Sequence, residues 1–353
     1  MFSPACFVPL CLVAALVLLF LTTSCSHMPP GARRSSVDST LADRLRADVQ
    51  HLAGDIGERN LYHPEKLEAA AAWIEAEFAH MGYRVRRVPV PVRGKDYALA
   101  ADITAWNIEA VLPGTTLADE QIVIGAHYDS KVAMPRWNGH WPPTPEKPGT
   151  PGANDNGSGV ATVLALARHF AGRPQARTLR FVTFVNEEPP FYQTDAMGSL
   201  AYARGLRADG LGKVRMITPE TLGCYSPRVR TKRLFIGTLL GLPDRPNYIA
   251  FASTRGSRHW MAQCAARFAP HSTLELRTVA IPAFSKKVAW SDDWSFTQCG
   301  YPAFAVTDTA YERCDHYHEV TDTPDTLDYG PMAEVVNALG HMLSEAASDP
   351  ARW

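Results

Sequence analysis

The sequence predicts an α/β fold, a three-layer α/β/α sandwich around a mixed, mostly parallel central sheet. Short β-branched apolar segments alternate with amphipathic helical segments along most of the chain. Residues able to do chemistry fall directly after the apolar segments, where such sheets present strand ends. The 353 residues are 46% hydrophobic and 20% charged, enough to bury a large core.

Before the folded part, the nearly continuous apolar stretch FVPLCLVAALVLLFLTT gives way to SCSHMPPGARRSS, which is small, polar and rich in Pro and Gly. Residues 1–24 therefore read as an export leader and 25–38 as a flexible tether. The apolar run Phe7 to Leu21 is short for a full membrane span. Cleavage within LTTSC, just before Cys25, resembles the processing of a bacterial lipoprotein and would leave lipid on Cys25 with Ser26 behind it. A plain cleaved signal and an uncleaved anchor are the alternatives. All three export the remaining chain: to the periplasm, attached to the outer membrane through Cys25, or as a secreted protein.

A single domain is expected over 39–353. Ser39 or Thr40 caps a helix, STLADRLRADVQHLAG, with apolar positions at Leu41, Leu45, Val49 and Leu52. A second helix runs from about Pro64 through KLEAAAAWIEAEFAHM and stops at Gly82. Strands YRVRRVPVPV, NIEAVLP and QIVIGAHYD follow, the last beginning apolar and ending polar. A Pro-rich insert, 131–150, is too broken for helix or strand and carries Trp137, His140 and Trp141. Gly157 begins the helix GSGVATVLALARHFAG; strand TLRFVTFVNE, a helix from about Ala196 to Gly205 and strand VRMITPETLG come next. YIAFAS, helix SRHWMAQCAARFA, strands LELRTVAI and PAFAVTDTA, and a closing helix PMAEVVNALGHMLSEAA complete the domain.

Some function classes drop out early. A net charge of -1 with no long run of like charge leaves no electrostatic footprint for nucleic acid, and membrane contact is expected only through the N-terminal lipid or anchor. Partners are then small molecules or peptides. There is no HExxH and no GxSxG, and Leu211 stands where the P-loop spacing of Gly205 and Gly210 requires Lys. Outside the leader the cysteines are Cys224, Cys264, Cys299 and Cys314; none lies in a CxxC, which argues against a thiolate zinc site. In an oxidising compartment at least one disulfide is expected, Cys299 with Cys314.

The strand-end residues are His127 and Asp129 after IVIGA, Asp155 in PGANDNGSG, Glu187 and Glu188 after TLRFVTFVN, Glu220 after VRMIT, and His318 beyond PAFAVTDTA. Two imidazoles and several carboxylates at one edge form a donor set for a borderline divalent metal, zinc above all. Strand alternation puts His127 and Asp129 on one side, so Asp129 can accept the second ring N–H and orient the imidazole. The same alternation separates Glu187 from Glu188, so both serve one cluster only if the strand is ending and their roles differ. One holds metal; the other moves protons.

From about Asn107 to Tyr329 the chain resembles the co-catalytic dizinc exopeptidases of the zinc aminopeptidase type, through GAHYDS, PGANDNGSGVA, FVNEEPPF, MGSLAYA, ETLGCYS, WSDDWSF, GYPAFAVTDTA and YHEVTDTPDTLD. The resemblance implies a phosphorylase/hydrolase-like exopeptidase fold, two Zn2+ per chain, and peptides with a free N-terminus as substrates. It assigns His127 and Glu220 to one zinc, Glu188 and His318 to the other, and Asp155 to the bridge. Glu187 becomes the general base and acid for the attacking water, and Tyr317 matches a tyrosine that in some relatives hydrogen-bonds the developing oxyanion. Many relatives have Asp in place of Glu220, and in WSDDWSF Asp293 stands where relatives commonly have His, which leaves Asp292 in a supporting position. His316 lies near, but His318, with Asp322 close behind, matches the pattern. A glutaminyl-peptide cyclotransferase, which uses one zinc and a related fold, is the enzymatic alternative; such cyclases tend to carry Trp before the ligand His, where this chain has Tyr317. A metal-stabilised binding ectodomain is the non-enzymatic alternative, and it has no use for a free carboxylate at Glu187.

Overall fold

Pairing turns the alternating segments into one mixed sheet. A computed structural model describes residues 24–28, 39–134, 142–225, 247–282 and 291–351. Its strands are β1 (Ser24–Met28), β2 (Val85–Val92), β3 (Ile103–Leu112), β4 (Leu117–His127), β5 (Arg177–Phe184), β6 (Val214–Glu220), β7 (Tyr248–Thr254), β8 (Glu275–Ile281) and β9 (Ala303–Thr307). They lie in the order β1-β8-β7-β9-β6-β4-β5-β3-β2. The central strands β9, β6, β4 and β5 run parallel, and antiparallel β7 and β3 flank them. Parallel register sets His127 opposite Phe184 and Glu220 opposite Thr307, so the ends that carry chemistry are level with one another.

The helices are α1 (Ser39–Val49), continued by π-helical turns Gln50–Ile56, α2 (Pro64–His80), α3 (Ser158–Phe170), α4 (Gly198–Ala208), α5 (Arg258–Phe268), α6 (Asp292–Gln298), α7 (Ala310–Arg313) and α8 (Tyr329–Ser348). Pro64 opens α2 at its first turn, where a missing N–H costs nothing, and Gly82 at φ +88° turns the chain out of it. Period-two alternation in β4 and β5 divides the core. Ile122, Ile124, Leu179 and Phe181 face the layer of α1, α3, α5 and α8, while Val123, Val182 and Phe184 face α4 and α6. Each such buried aliphatic or aromatic side chain contributes roughly 1.5–3 kcal/mol. A sheet covered on both faces is the predicted sandwich.

Three features differ from the sequence expectation or fall outside it. Residues 24–28, expected at the leader's end and in a flexible tether, form edge strand β1 antiparallel to β8, with Cys25 opposite Val279. The apolar leader itself, 1–23, lies outside the described residues. In the insert, the Thr150 amide donates to the Lys131 carbonyl and the Thr144 amide to Ala133, so its two ends close on each other as a loop; Trp137, His140 and Trp141 lie outside the described residues. The expected Cys299–Cys314 disulfide is not formed, and all four cysteines of the domain are free thiols. Cys299 ends α6, where its carbonyl accepts from Arg207, whereas the thiol of Cys314 meets that of Cys224.

Candidate metal centre

His127 closes β4 and is fully buried, because the apolar strand that carries it runs through the middle of the sheet. Its Nε2 lies 3.2 Å from Asp155 Oδ1, 3.6 Å from Glu220 Oε2 and 3.7 Å from Glu187 Oε2. On the far side of Asp155, His318 Nε2 is 3.0 Å from Asp155 Oδ2 and 3.4 Å from Glu188 Oε2. Two donor groups result: His127, Asp155 and Glu220, and Asp155, Glu188 and His318, each with its ligand atoms within 4.8 Å of one another. Asp155 belongs to both.

The chain leaves regular structure to build this. β5 stops at Phe184, and Asn186 takes a left-handed φ of 62° just ahead of the two glutamates. That turn frees Glu187 and Glu188 from strand alternation and lets both reach one cluster. Thr221, directly after Glu220, and His318 itself are also left-handed, at φ 54° and 62°. Each such residue costs on the order of 1 kcal/mol, and strain of this kind persists where surrounding contacts dictate it.

Those contacts are specific. Asp129 accepts the amides of Glu187 and Glu188, one on each carboxylate oxygen, at 3.1 Å. Its predicted service to His127 is made by a different atom: the ring Nδ1 lies 3.1 Å from the Asp129 carbonyl and 3.6 Å from its carboxylate. Asp322 accepts the amides of Asn154 and Asp155 at 2.8 and 3.1 Å, and so aims the shared carboxylate. Asn156 Nδ2 and Ser291 Oγ donate to Glu220 Oε2 at 2.8 and 2.7 Å. Arg59, fully buried, donates to the carbonyls of Tyr128, Gly57, Pro151 and Gly152. Burial pulls this guanidinium down to about 10, against the pull of Asp129, Asp322, Asp155 and Glu188. Of these supports, Arg59, Asn156 and Ser291 carry no sequence signal, since a single Arg, Asn or Ser in a loop is common. Asp322 does carry one, by its fixed place behind His318.

The electrostatics show what the site lacks. Burial drives Glu187 well above the carboxylate range, with Glu188, Glu220 and Asp292 adding to the effect and His127 opposing it. Burial also raises Glu220 and Asp292 to about 7, and Asp293 to about 8. Against burial, Glu187, Glu220, Asp129 and Asp155 hold His127 well above its ordinary value, and Glu188 and Asp155 lift His318 to about 10. So many buried acids around two imidazoles call for further positive charge. Buried His127 Nε2 and Glu188 Oε1 have no hydrogen-bond partner, which is what ligand atoms look like without their ion. Imidazole nitrogen and carboxylate oxygen at these separations fit zinc.

Glu187, Asp292 and Tyr317 border the two donor groups without joining them. Tyr317 stacks on His318 with ring centroids 4.0 Å apart, and burial, then Asp155, Glu188, Glu220 and Glu187, keep its hydroxyl protonated. His316 instead points its Nδ1 at Thr321, 2.9 Å away, apart from both groups.

Residues 107–343 match peptidase family M28. The chain belongs to that family. Over 84% of this chain and 86% of its own length, the uncharacterized protein YfbL of Escherichia coli (strain K12) is 30% identical to this M28 chain. A probable zinc metalloprotease of Pyricularia oryzae is 25% identical over 88% of this chain, which spans 64% of that longer relative. Among solved structures, a zinc aminopeptidase from Bacillus subtilis superposes with a TM-score of 0.65 at 14% identity, covering 91% of this chain and 98% of its own. A Fimbriiglobus ruber glutaminyl cyclase superposes with a TM-score of 0.61 at 20% identity, over 89% and 97%. At those identities both establish the M28-type fold alone.

Proposed function

We propose that this M28 chain is an exported zinc-dependent aminopeptidase that removes N-terminal residues from peptides. The observation that carries this is the pair of donor groups sharing Asp155, with Glu187 left outside both. A centre with two full ligand sets and a spare carboxylate suits hydrolysis better than the one-zinc cyclase chemistry, and the spare carboxylate has no purpose in a binding module.

His127 and Glu220 would hold one zinc, Glu188 and His318 the other, with Asp155 between them. When bound, such ions polarise a substrate carbonyl and acidify the attacking water. The chain's own residues supply the rest. Glu187 takes a proton from the attacking water and returns it to the departing amine, a role open to a carboxylate that stands beside the donor groups without belonging to either. Tyr317 donates its hydroxyl proton toward the carbonyl oxygen as negative charge develops there. Asp129 holds the Glu187 and Glu188 amides so that neither side chain drifts into the other's place. A free substrate amine meets the acids left over, which favours chain ends over internal bonds. Export is supported by the apolar leader and the LTTSC junction, with Cys25 as the lipid attachment.

The test offers the purified full chain aminoacyl-anilides and, separately, a peptide with N-terminal glutamine, each with and without chelator. Chelator-sensitive release of anilide, restored by zinc, is the expected result. A pyroglutamyl product without anilide release makes it a cyclase, and neither product makes it a binding protein.

A further inference from the structure

Cys224 and Cys314 lie on the two segments that deliver ligands from opposite sides of the site. Cys224 follows Glu220 by four residues and Cys314 precedes His318 by four. The segments run against each other: the Asp308 amide donates to the Thr221 carbonyl at 2.8 Å, and the Cys224 amide donates to Asp308 Oδ2 at 2.6 Å. Arg313 covers the Tyr225 ring, 5.5 Å from its centroid, and closes the same seam. At its end the side chains of Cys224 and Cys314 come within interaction range of each other. Both are partly exposed, as is Cys299 beside Arg204 and Arg207, so a reagent can reach all three, whereas Cys264 is buried in the core; only Cys224 and Cys314 lie on facing segments.

We propose that Cys224 and Cys314 form a disulfide that ties the segment after Glu220 to the segment before His318. The reaction needs a disulfide donor, R–S–S–R. One cysteine thiolate attacks it and expels R–S⁻, leaving a mixed disulfide; the other thiolate attacks that bond and expels the second R–S⁻. The two cysteine protons end on the two released thiols, and the pair's two-electron oxidation matches the donor's reduction. The cross-link spans a long stretch of chain, so it restricts the unfolded ensemble strongly. It also braces the sheet edge where Glu220 and His318 must stay in register.

The full chain is incubated with oxidised glutathione, unfolded in denaturant so that every remaining thiol is alkylated, digested without reductant and mapped by mass spectrometry. The expected product is a peptide pair joining Cys224 to Cys314, about 2 Da lighter than the two reduced peptides together. It disappears on reduction and in Cys224→Ser and Cys314→Ser, while Cys264 and Cys299 are alkylated throughout. Oxidation is expected to raise Tm by about 5 °C in the wild type and by nothing in Cys224→Ser. Full alkylation of Cys224 and Cys314 after incubation, or a pair joining Cys314 to Cys299, overturns the assignment; an unchanged Tm in the cross-linked protein overturns the brace. The peptide map reads thiols directly, so it gives its answer whether or not the chain proves to be a peptidase.

Discussion

Glu187 and Glu188 are neighbours in sequence that keep different company. Glu188 faces His318 and Asp155, while Glu187 faces His127 from outside the donor groups. Their amides share one acceptor, Asp129, and that fixes which carboxylate goes where. Asp322 does for Asp155 what Asp129 does for the glutamates. Asp322→Asn removes one of its two carboxylate acceptors, and zinc affinity is expected to fall about 10- to 100-fold, read by competition with a chromogenic chelator. Tyr317→Phe is expected to lower kcat about 100-fold with zinc content unchanged. A loss of zinc in that variant would mean that the stacking on His318, and not the hydroxyl, is what matters. His127, Glu188 and Glu220 were legible in the sequence because each ends or closely follows an apolar strand, and two fall in the pairs HxD and EE, whereas Asp155 precedes α3 and His318 follows α7. Arg59, Asn156 and Ser291 were not, because they act through backbone carbonyls and a carboxylate that only the fold brings near.

The elements place these side chains through their ends. β5 stops before the glutamates, α3 starts just after Asp155, and α4 starts beyond the prolines that follow Glu188. Asn107 joins two of these junctions: its side chain accepts the Val185 amide and donates to the Gly198 carbonyl. A Cβ on Gly198 would stand 2.3 Å from Asn107 Oδ1 and 2.4 Å from the Val185 carbonyl. Gly198→Ala is therefore expected to cost about 1–3 kcal/mol, seen as a lower denaturant midpoint, and to reduce activity through the displaced glutamates. An unchanged midpoint would show that α4 can shift without disturbing β5. Alternating strands and helices announced the sandwich, and to the expected order the structure adds short helices α6 and α7 on either side of β9. Edge strand β1 was not legible, since SCSHM is short, polar and has no alternation; only the exposed edge of β8 gives it a partner. The cysteine pairing failed for a related reason. Proximity in sequence suggested Cys299 with Cys314, but parallel β6 and β9 bring the segment of Cys224 beside Cys314 instead.

At the scale of the whole molecule, the domain buries many acids at one sheet edge, and its stability should record that. Burial raises Glu220, Asp292 and Asp322 to about 7, Asp293 to about 8 and Asp308 to about 6. Unfolded, the same groups release protons near pH 4. Without metal the folded state thus binds more protons than the unfolded one between about pH 4 and 8, so stability is greatest at the acid end and falls as pH rises through that window. Zinc binding competes with protons and works the other way. Thermal melts should show the metal-free Tm falling by several degrees from about pH 5 to pH 8, with zinc raising Tm more at pH 8 than at pH 5. A metal-free Tm that climbs over that range would show that other acids dominate. All of this rests on the division of labour between two adjacent glutamates, which Glu187→Gln isolates. The purified variant and the wild type, loaded with zinc and dialysed, should each keep about two zinc ions per chain, and the variant should lose turnover of an aminoacyl-anilide by roughly a thousandfold or more. Zinc lost from the variant, or turnover retained with zinc in place, would contradict it.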